Sequence, residues 1–184
     1  MQLIITLPVI LNNTLMQKYL LIIAVAFLPL TVHAQKTPEE LGKYLFSYLK
    51  AGSISKIDSL IPTLEEMKAL AEKLEIKKDS KLYTDAVDGY DNEVEAFRET
   101  ISAMYADTLD NHLVWKQAVL QKVVAVSDSI KLDNRNPASK TAQVTRLGIY
   151  FVCKGYKFRI AVNDAFEVNG LWKLGSNIYL KPLH

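Results

Sequence analysis

Apolar positions recur every three to four residues in the first half of the chain and every second residue in the rest. That switch in period, from helix to strand, occurs near Leu113. The first helix is predicted to start at Thr37-Pro38-Glu39-Glu40. Thr37 can cap, Pro38 suits the first helical position and Glu40 completes a capping box. Leu41, Tyr44, Leu45, Tyr48 and Leu49 then share one face, and Gly52 ends the helix. A short helical turn follows around Ile57 to Ile61. After Pro62, Thr63 and Glu66 repeat the capping-box spacing ahead of a stripe of Met67, Leu70, Ala71 and Leu74. The third helix is the most regular. Tyr83, Val87, Tyr90, Val94, Phe97, Ile101 and Met104 alternate spacings of four and three, which predicts one core-facing stripe along roughly six turns. Asp85, Asp88, Asp91, Glu95 and Glu99 occupy its other faces, as a solvated surface would.

The strand-like half opens with a long Val-rich stretch, Trp115 to Asp128. Gln121 and Lys122 blur its alternation, which predicts a bulge or a bend. Thr145, Leu147, Ile149, Phe151 and Cys153 alternate cleanly, and Lys154-Gly155 forms a tight turn into Tyr156, Phe158, Ile160 and Val162. Asp164 and Glu167 are expected in the exposed hairpin loop that follows. Asn169-Gly170 is a hairpin signal leading into a last strand, Leu171 to Leu180, with Trp172, Leu174, Ile178 and Leu180 on one side. The polar run Asp133 to Ser139 is the longest loop. Helices first and hairpin-linked strands second predict an α+β fold, N-terminal helices packed on a curved four-stranded antiparallel sheet.

Residues 16 to 34 carry a different signal. Lys18 supplies a positive start, Tyr19 to Leu30 an apolar run, and Val32-His33-Ala34 a small-residue cleavage site before Gln35. This reads as a secretory signal peptide, with residues 1 to 15 an over-long start and Met16 the true one. An uncleaved anchor is the rival, but the apolar run falls short of the ~20 residues that cross a bilayer. No cysteine lies at the cleavage site, so a lipid anchor is excluded. The expected product is a single periplasmic or secreted domain, residues 35 to 184, with no membrane anchor after cleavage.

Composition removes several function classes. The formal net charge is +2, and Lys18 of the leader accounts for one of those charges. Without clustered Lys or Arg this balance gives no nucleic-acid footprint. Lys73, Lys77, Lys78 and Lys81 gather near the end of the second helix, where they answer the helix dipole, and Glu72, Glu75 and Asp79 dilute them. Cys153 is the only cysteine, so no intramolecular disulfide is available, and its place in an apolar alternation reads as a buried small hydrophobe. His112 is the one histidine away from the leader and the last residue, and no zinc or calcium spacing accompanies it. No phosphate-binding glycine loop or nucleophile elbow occurs. No metal or cofactor is expected.

The order of helices and antiparallel meander, ending in Asn169-Gly170-Leu171-Trp172-Lys173-Leu174, resembles the cystatin-like cone fold of the nuclear transport factor two and ketosteroid isomerase superfamily. The similarity would span residues 37 to 182 and includes the Gly-x-Trp of the last hairpin. It implies a curved sheet wrapped on helices with an apolar pocket at the open end. It does not supply a function, because such folds host many. Within that pocket Tyr90, Phe97, Trp115 and Trp172 are the candidate ligand-binding residues, with plain core packing as the competing role. A non-enzymatic module binding a small apolar ligand or a protein partner is therefore expected. A small isomerase or cyclase is the alternative, for which no catalytic residue can be named.

Overall fold

The computed structural model describes residues 35–107, 112–131, 141–175 and 177–183; the leader and the polar loop at 133–139 lie outside them. Helix α1 (Pro38–Ala51) begins as its sequence predicts, with the Thr37 hydroxyl accepting from the Glu40 N–H at 3.2 Å. The Glu40 carboxylate reaches one residue further back than a capping box requires and accepts from the Lys36 N–H at 3.0 Å. Gly52 closes the helix in the left-handed region. Leu41, Leu45, Phe46 and Leu49 form the buried face, whereas Tyr44 and Tyr48 ride half-buried at its edge. Burying each of those four side chains is worth about 2 kcal/mol.

A 3₁₀ segment, Ile54–Leu60, buries Ile57 and Leu60 and leads into α2 (Leu64–Lys73), where both halves of the Thr63–Glu66 capping box form. The predicted stripe on α2 is only partly interred: Ala71 is buried, while Met67, Leu70 and Leu74 stay half-buried. The third predicted helix is interrupted. A single α-turn (Lys81–Tyr83) passes into a π-turn (Thr84–Asp88), and a regular helix, α3 (Tyr90–Ala106), starts only after Gly89. Val87, Val94, Phe97, Ile101 and Met104 are buried as the stripe predicts, and Tyr83 and Tyr90 are half-buried.

The sheet is antiparallel, curved and unclosed, with neighbours in the order β1 (Val119–Lys131), β2 (Thr141–Cys153), β3 (Tyr156–Val168) and β4 (Leu171–Leu174). A fifth strand, β5 (Ile178–Leu183), also pairs with β3. Both predicted hairpin turns form with positive φ at the two central residues, 50° and 85° at Lys154-Gly155 and 52° and 79° at Asn169-Gly170. That geometry matches the right-handed twist of the flanking strands. The expected irregularity in β1 is a register shift between Leu120 and Lys122.

Two expectations are corrected. The last strand, predicted as one run from Leu171 to Leu180, is two strands, because the chain breaks pairing after Leu174 and resumes one residue out of step at Ile178. Asp164 and Glu167 lie within β3, not in a loop. Strand β3 continues further than its alternating pattern, and its bend hides the change of phase. Phe158, Ile160 and Val162 face the core, as does Ala165, so the inward phase resets between Val162 and Ala165.

Phe151 centres the core. Its ring lies 5.3 Å from Phe46, 5.5 Å from Trp115 and 5.4 Å from Phe158. Cys153 is buried beside them, its Sγ within hydrogen-bond reach of both the N–H and the carbonyl of Val114. Thr145, the polar member of the inward row on β2, shares a 2.9 Å hydrogen bond with Ser127. Among the described residues no helix is long and apolar enough to cross a membrane.

Candidate functional site

Two one-residue irregularities face each other at the end of the sheet. The first is the π-turn. Its wider winding lets the Gly89 N–H reach back to the Thr84 carbonyl at 2.9 Å, and a Cβ at Gly89 would lie 2.9 Å from the Asp85 carbonyl oxygen. Only glycine permits that approach without a shift of backbone. The second is the bend in β3, where the registers with β2 and with β4–β5 both shift around Asn163-Asp164. Such a bulge redirects a side chain relative to the regular pleat. The Asp164 carbonyl accepts from the Gly175 N–H at 2.6 Å and its carboxylate from the Asn177 N–H at 3.1 Å, so the strand break is held by Asp164 itself.

Between these irregularities lies a cavity of about 440 Å³. Leu82, Ala86, Val94 and Phe97 line it from the helical side, Ile61, Pro62 and Met67 from the entry to α2, and Phe166 and Leu174 from the sheet. The walls are thus apolar. Among the described residues three carboxylates, Asp85, Glu93 and Asp164, join the lining, and no basic residue does. Asp85 is paired with Lys81 at 2.8 Å on the solvent side, where both side chains are more than half exposed.

The cavity's polar supports are fixed by internal hydrogen bonds. Tyr90 donates its hydroxyl to the Pro62 carbonyl at 2.8 Å, tying α3 to the start of α2. Burial, reinforced by the Asp91 charge and opposed by Arg98, holds the Tyr90 phenol above its ordinary value of 10.0. Lys173, 7 % exposed, reaches from β4 to the Glu66 carboxylate at 3.3 Å and to the carbonyls of Ser59 and Ile61 at 3.4 Å each. Glu66 in turn accepts from the Thr63 N–H at 2.7 Å. An ion pair between buried Lys173 and half-buried Glu66 therefore joins the last hairpin to the segment carrying Ile61, Pro62 and Met67.

Of the four aromatic residues selected from the sequence, the structure brings Tyr90 and Phe97 together in the cavity wall. Trp115 and Trp172 lie elsewhere. Trp115 is buried with its indole N–H donating to the Tyr105 carbonyl at 3.1 Å and its ring stacked on Tyr105 and Phe151, as a core tryptophan with a satisfied donor. Trp172 sits half-buried on β4 against the edge of the core, and its backbone N–H donates to the Gln35 carbonyl at 2.7 Å. Sequence reasoning missed Asp164, Phe166 and Leu82. The available signals were the turn-like Gly175-Ser176-Asn177 inside an otherwise apolar strand and Gly89 inside an otherwise unbroken helical stripe. Comparison with protein-family models, with curated proteins and with solved structures finds no significant match to this chain.

Proposed function

We propose that this chain is an exported binding module that takes a small, mainly apolar ligand into the cavity between the π-turn and the bend of β3. The observation that carries the reading is the cavity itself: about 440 Å³ of space walled by Met67, Leu82, Val94, Phe97 and Phe166, within the ~300–1,000 Å³ range of small-molecule sites. Its three carboxylates oppose an anionic head group and favour a neutral or cationic one. Export rests on the leader read at residues 16 to 34, and a periplasmic or secreted location follows from it. The cystatin-like cone remains the fold family that this element order resembles, and an open-ended pocket is in keeping with it.

An isomerase or cyclase is the weaker reading. That chemistry needs an oxyanion donor near a carboxylate base, and the one tyrosine in the cavity wall, Tyr90, already commits its hydroxyl proton to Pro62.

The test is titration of residues 35–184 with the neutral fluorophore N-phenyl-1-naphthylamine. Saturable binding is expected, lost in Ala86→Trp, which fills the cavity, and weakened about tenfold in Leu82→Gln, which removes about 1.4 kcal/mol of apolar contact at an exposed lip. Absence of saturable binding, or wild-type affinity in both folded variants, overturns the proposal.

A further inference from the structure

The outer face of the sheet, turned away from the helices, is ordered in rows that run across the strands. Register places Val124 beside Gly148, Gly148 beside Ala161 and Ala161 beside Tyr179, which makes one row apolar. The next row reads Lys122, Tyr150, Arg159 and Lys181. Lys122 lies 5.1 Å and Arg159 5.6 Å from the centre of the Tyr150 ring. Arg159 and Lys181 are direct cross-strand partners, and like charges in that relation repel. Arg146 and Lys157 add to the same face, where Asp128 is the one acidic side chain among the described residues. Asp128 meets Arg146 at 3.5 Å in a pair more than half exposed, which neutralises little.

At the junction of the two rows the sheet has a hollow of about 270 Å³, walled by Val124, Val126, Arg146, Tyr150 and Arg159 with Gly148 at its floor. A Cβ at Gly148 would lie 2.8 Å from the Tyr150 ring and 3.2 Å from Arg159 Nε, so glycine is what keeps the two side chains low over the sheet. Arg159 Nε is buried there without a hydrogen-bond partner, a state that costs stability unless something offsets it. Apolar valines, an aromatic ring and two guanidinium groups thus converge on one depression.

We propose that this hollow is a second binding site, for a small amphiphilic anion: a sulfonate, sulfate, phosphate or carboxylate on an aromatic or short acyl body. The anionic group pairs with Arg146 and Arg159 and relieves the repulsion along the Lys122 to Lys181 row, while the body rests on Val124, Val126 and the Tyr150 ring. The site is distinct from the cavity in sign as well as place, since the cavity presents carboxylates.

Two fluorophores that share one aromatic skeleton and differ by a sulfonate separate the sites. 1-Anilinonaphthalene-8-sulfonate is titrated into residues 35–184 alongside neutral N-phenyl-1-naphthylamine, at low and high salt. The sulfonate is expected to bind saturably, to weaken at high salt, to lose at least about tenfold in affinity in Arg159→Gln or Arg146→Gln, and to keep wild-type affinity in Ala86→Trp. Arg146 is exposed and Arg159 half-buried, so each variant is checked for an unchanged melting curve, and Arg146→Gln carries the test if Arg159→Gln is destabilised. No saturable sulfonate binding, wild-type affinity in both arginine variants, or loss in Ala86→Trp overturns the second site. Ala86→Trp acts on the cavity and the arginine variants act on the hollow, so failure of one reading is distinguishable from failure of the other.

Discussion

Lys173 offers the sharpest perturbation of the fold. Its ammonium is 7 % exposed as a residue and contacts the Glu66 carboxylate and two carbonyls, while the Glu66 side chain, 19 % exposed, also holds the Thr63 N–H. Removing one partner of a buried pair leaves the other charge uncompensated, a loss of about 3–5 kcal/mol when burial is complete. Glu66 keeps some solvent and its capping hydrogen bond, so Lys173→Met should cost about 3 kcal/mol, at the lower end of that range. Methionine preserves the length of the stem and limits the cavity contribution. Glu66→Gln retains an acceptor for Thr63 and loses only the charge, which strands the ammonium among carbonyls that still partly satisfy it. It should cost about 2 kcal/mol.

The double variant decides whether these residues act as a pair. With both charges gone neither is stranded, so Lys173→Met with Glu66→Gln should be less destabilised than the sum of the singles by about 1–2 kcal/mol. Urea unfolding of residues 35–184, followed by tryptophan fluorescence and circular dichroism, measures all four corners of the cycle, and in thermal unfolding the Lys173→Met melting point should fall by about 6–12 °C. Additivity within about 0.5 kcal/mol would refute the pairing. A Lys173→Met variant as stable as the wild type would refute the claim that the ammonium is needed at that place.

Three further outcomes follow from particular contacts. Thr37→Ala removes the acceptor of the Glu40 N–H and should lower stability by about 1 kcal/mol in the same urea assay, with Thr37→Ser near wild type. Gly89→Ala places a methyl against the Asp85 carbonyl; it should cost about 1–3 kcal/mol and weaken N-phenyl-1-naphthylamine binding, because the π-turn that lines the cavity must shift. The Tyr90 phenol is held above 10.0 by burial, so the folded state retains its proton while the unfolded chain loses it. Its contribution is complete below pH 10 and declines as pH rises further, and Tyr90→Phe should flatten that alkaline decline while losing about 1 kcal/mol at neutral pH with the Pro62 hydrogen bond.

Local chemistry made most of the elements legible. Thr37-Pro38, Thr63 with Glu66, Lys154-Gly155 and Asn169-Gly170 each specify a cap or turn through contacts within four residues, and each forms. The inward row of β2 was equally plain, because β2 itself carries no extra residue from Leu147 to Cys153 and pairs with β3 over that whole stretch without a shift. What escaped was single-residue insertion. The π-turn adds a residue to a helical repeat without changing which side chains are apolar, and Val87 within it and Val94 beyond it are both buried. The bend in β3 similarly resets the phase at Asp164, so a carboxylate that alternation assigned to a loop lines the cavity instead. Trp115 and Trp172 were misplaced for another reason. Aromatic character identifies burial, but which cluster a tryptophan joins depends on strands and helices far away in sequence.

The same limit applies to charge. A total of +2 describes a chain with no apparent electrostatic preference, yet the fold sorts its charges. Asp85, Glu93 and Asp164 come from three separate stretches to the cavity, and Lys122, Arg146, Lys157, Arg159 and Lys181 come from four strands to the outer face. Strand alternation does the second sorting, since each of those cations occupies the phase opposite to Val123, Leu147, Phe158, Ile160 and Leu180. A net charge near zero therefore excludes a uniform field and leaves two local ones of opposite sign. At the two proposed sites those local fields would set ligand class, because a small ligand meets only the groups within about a Debye length, ~8 Å at physiological salt.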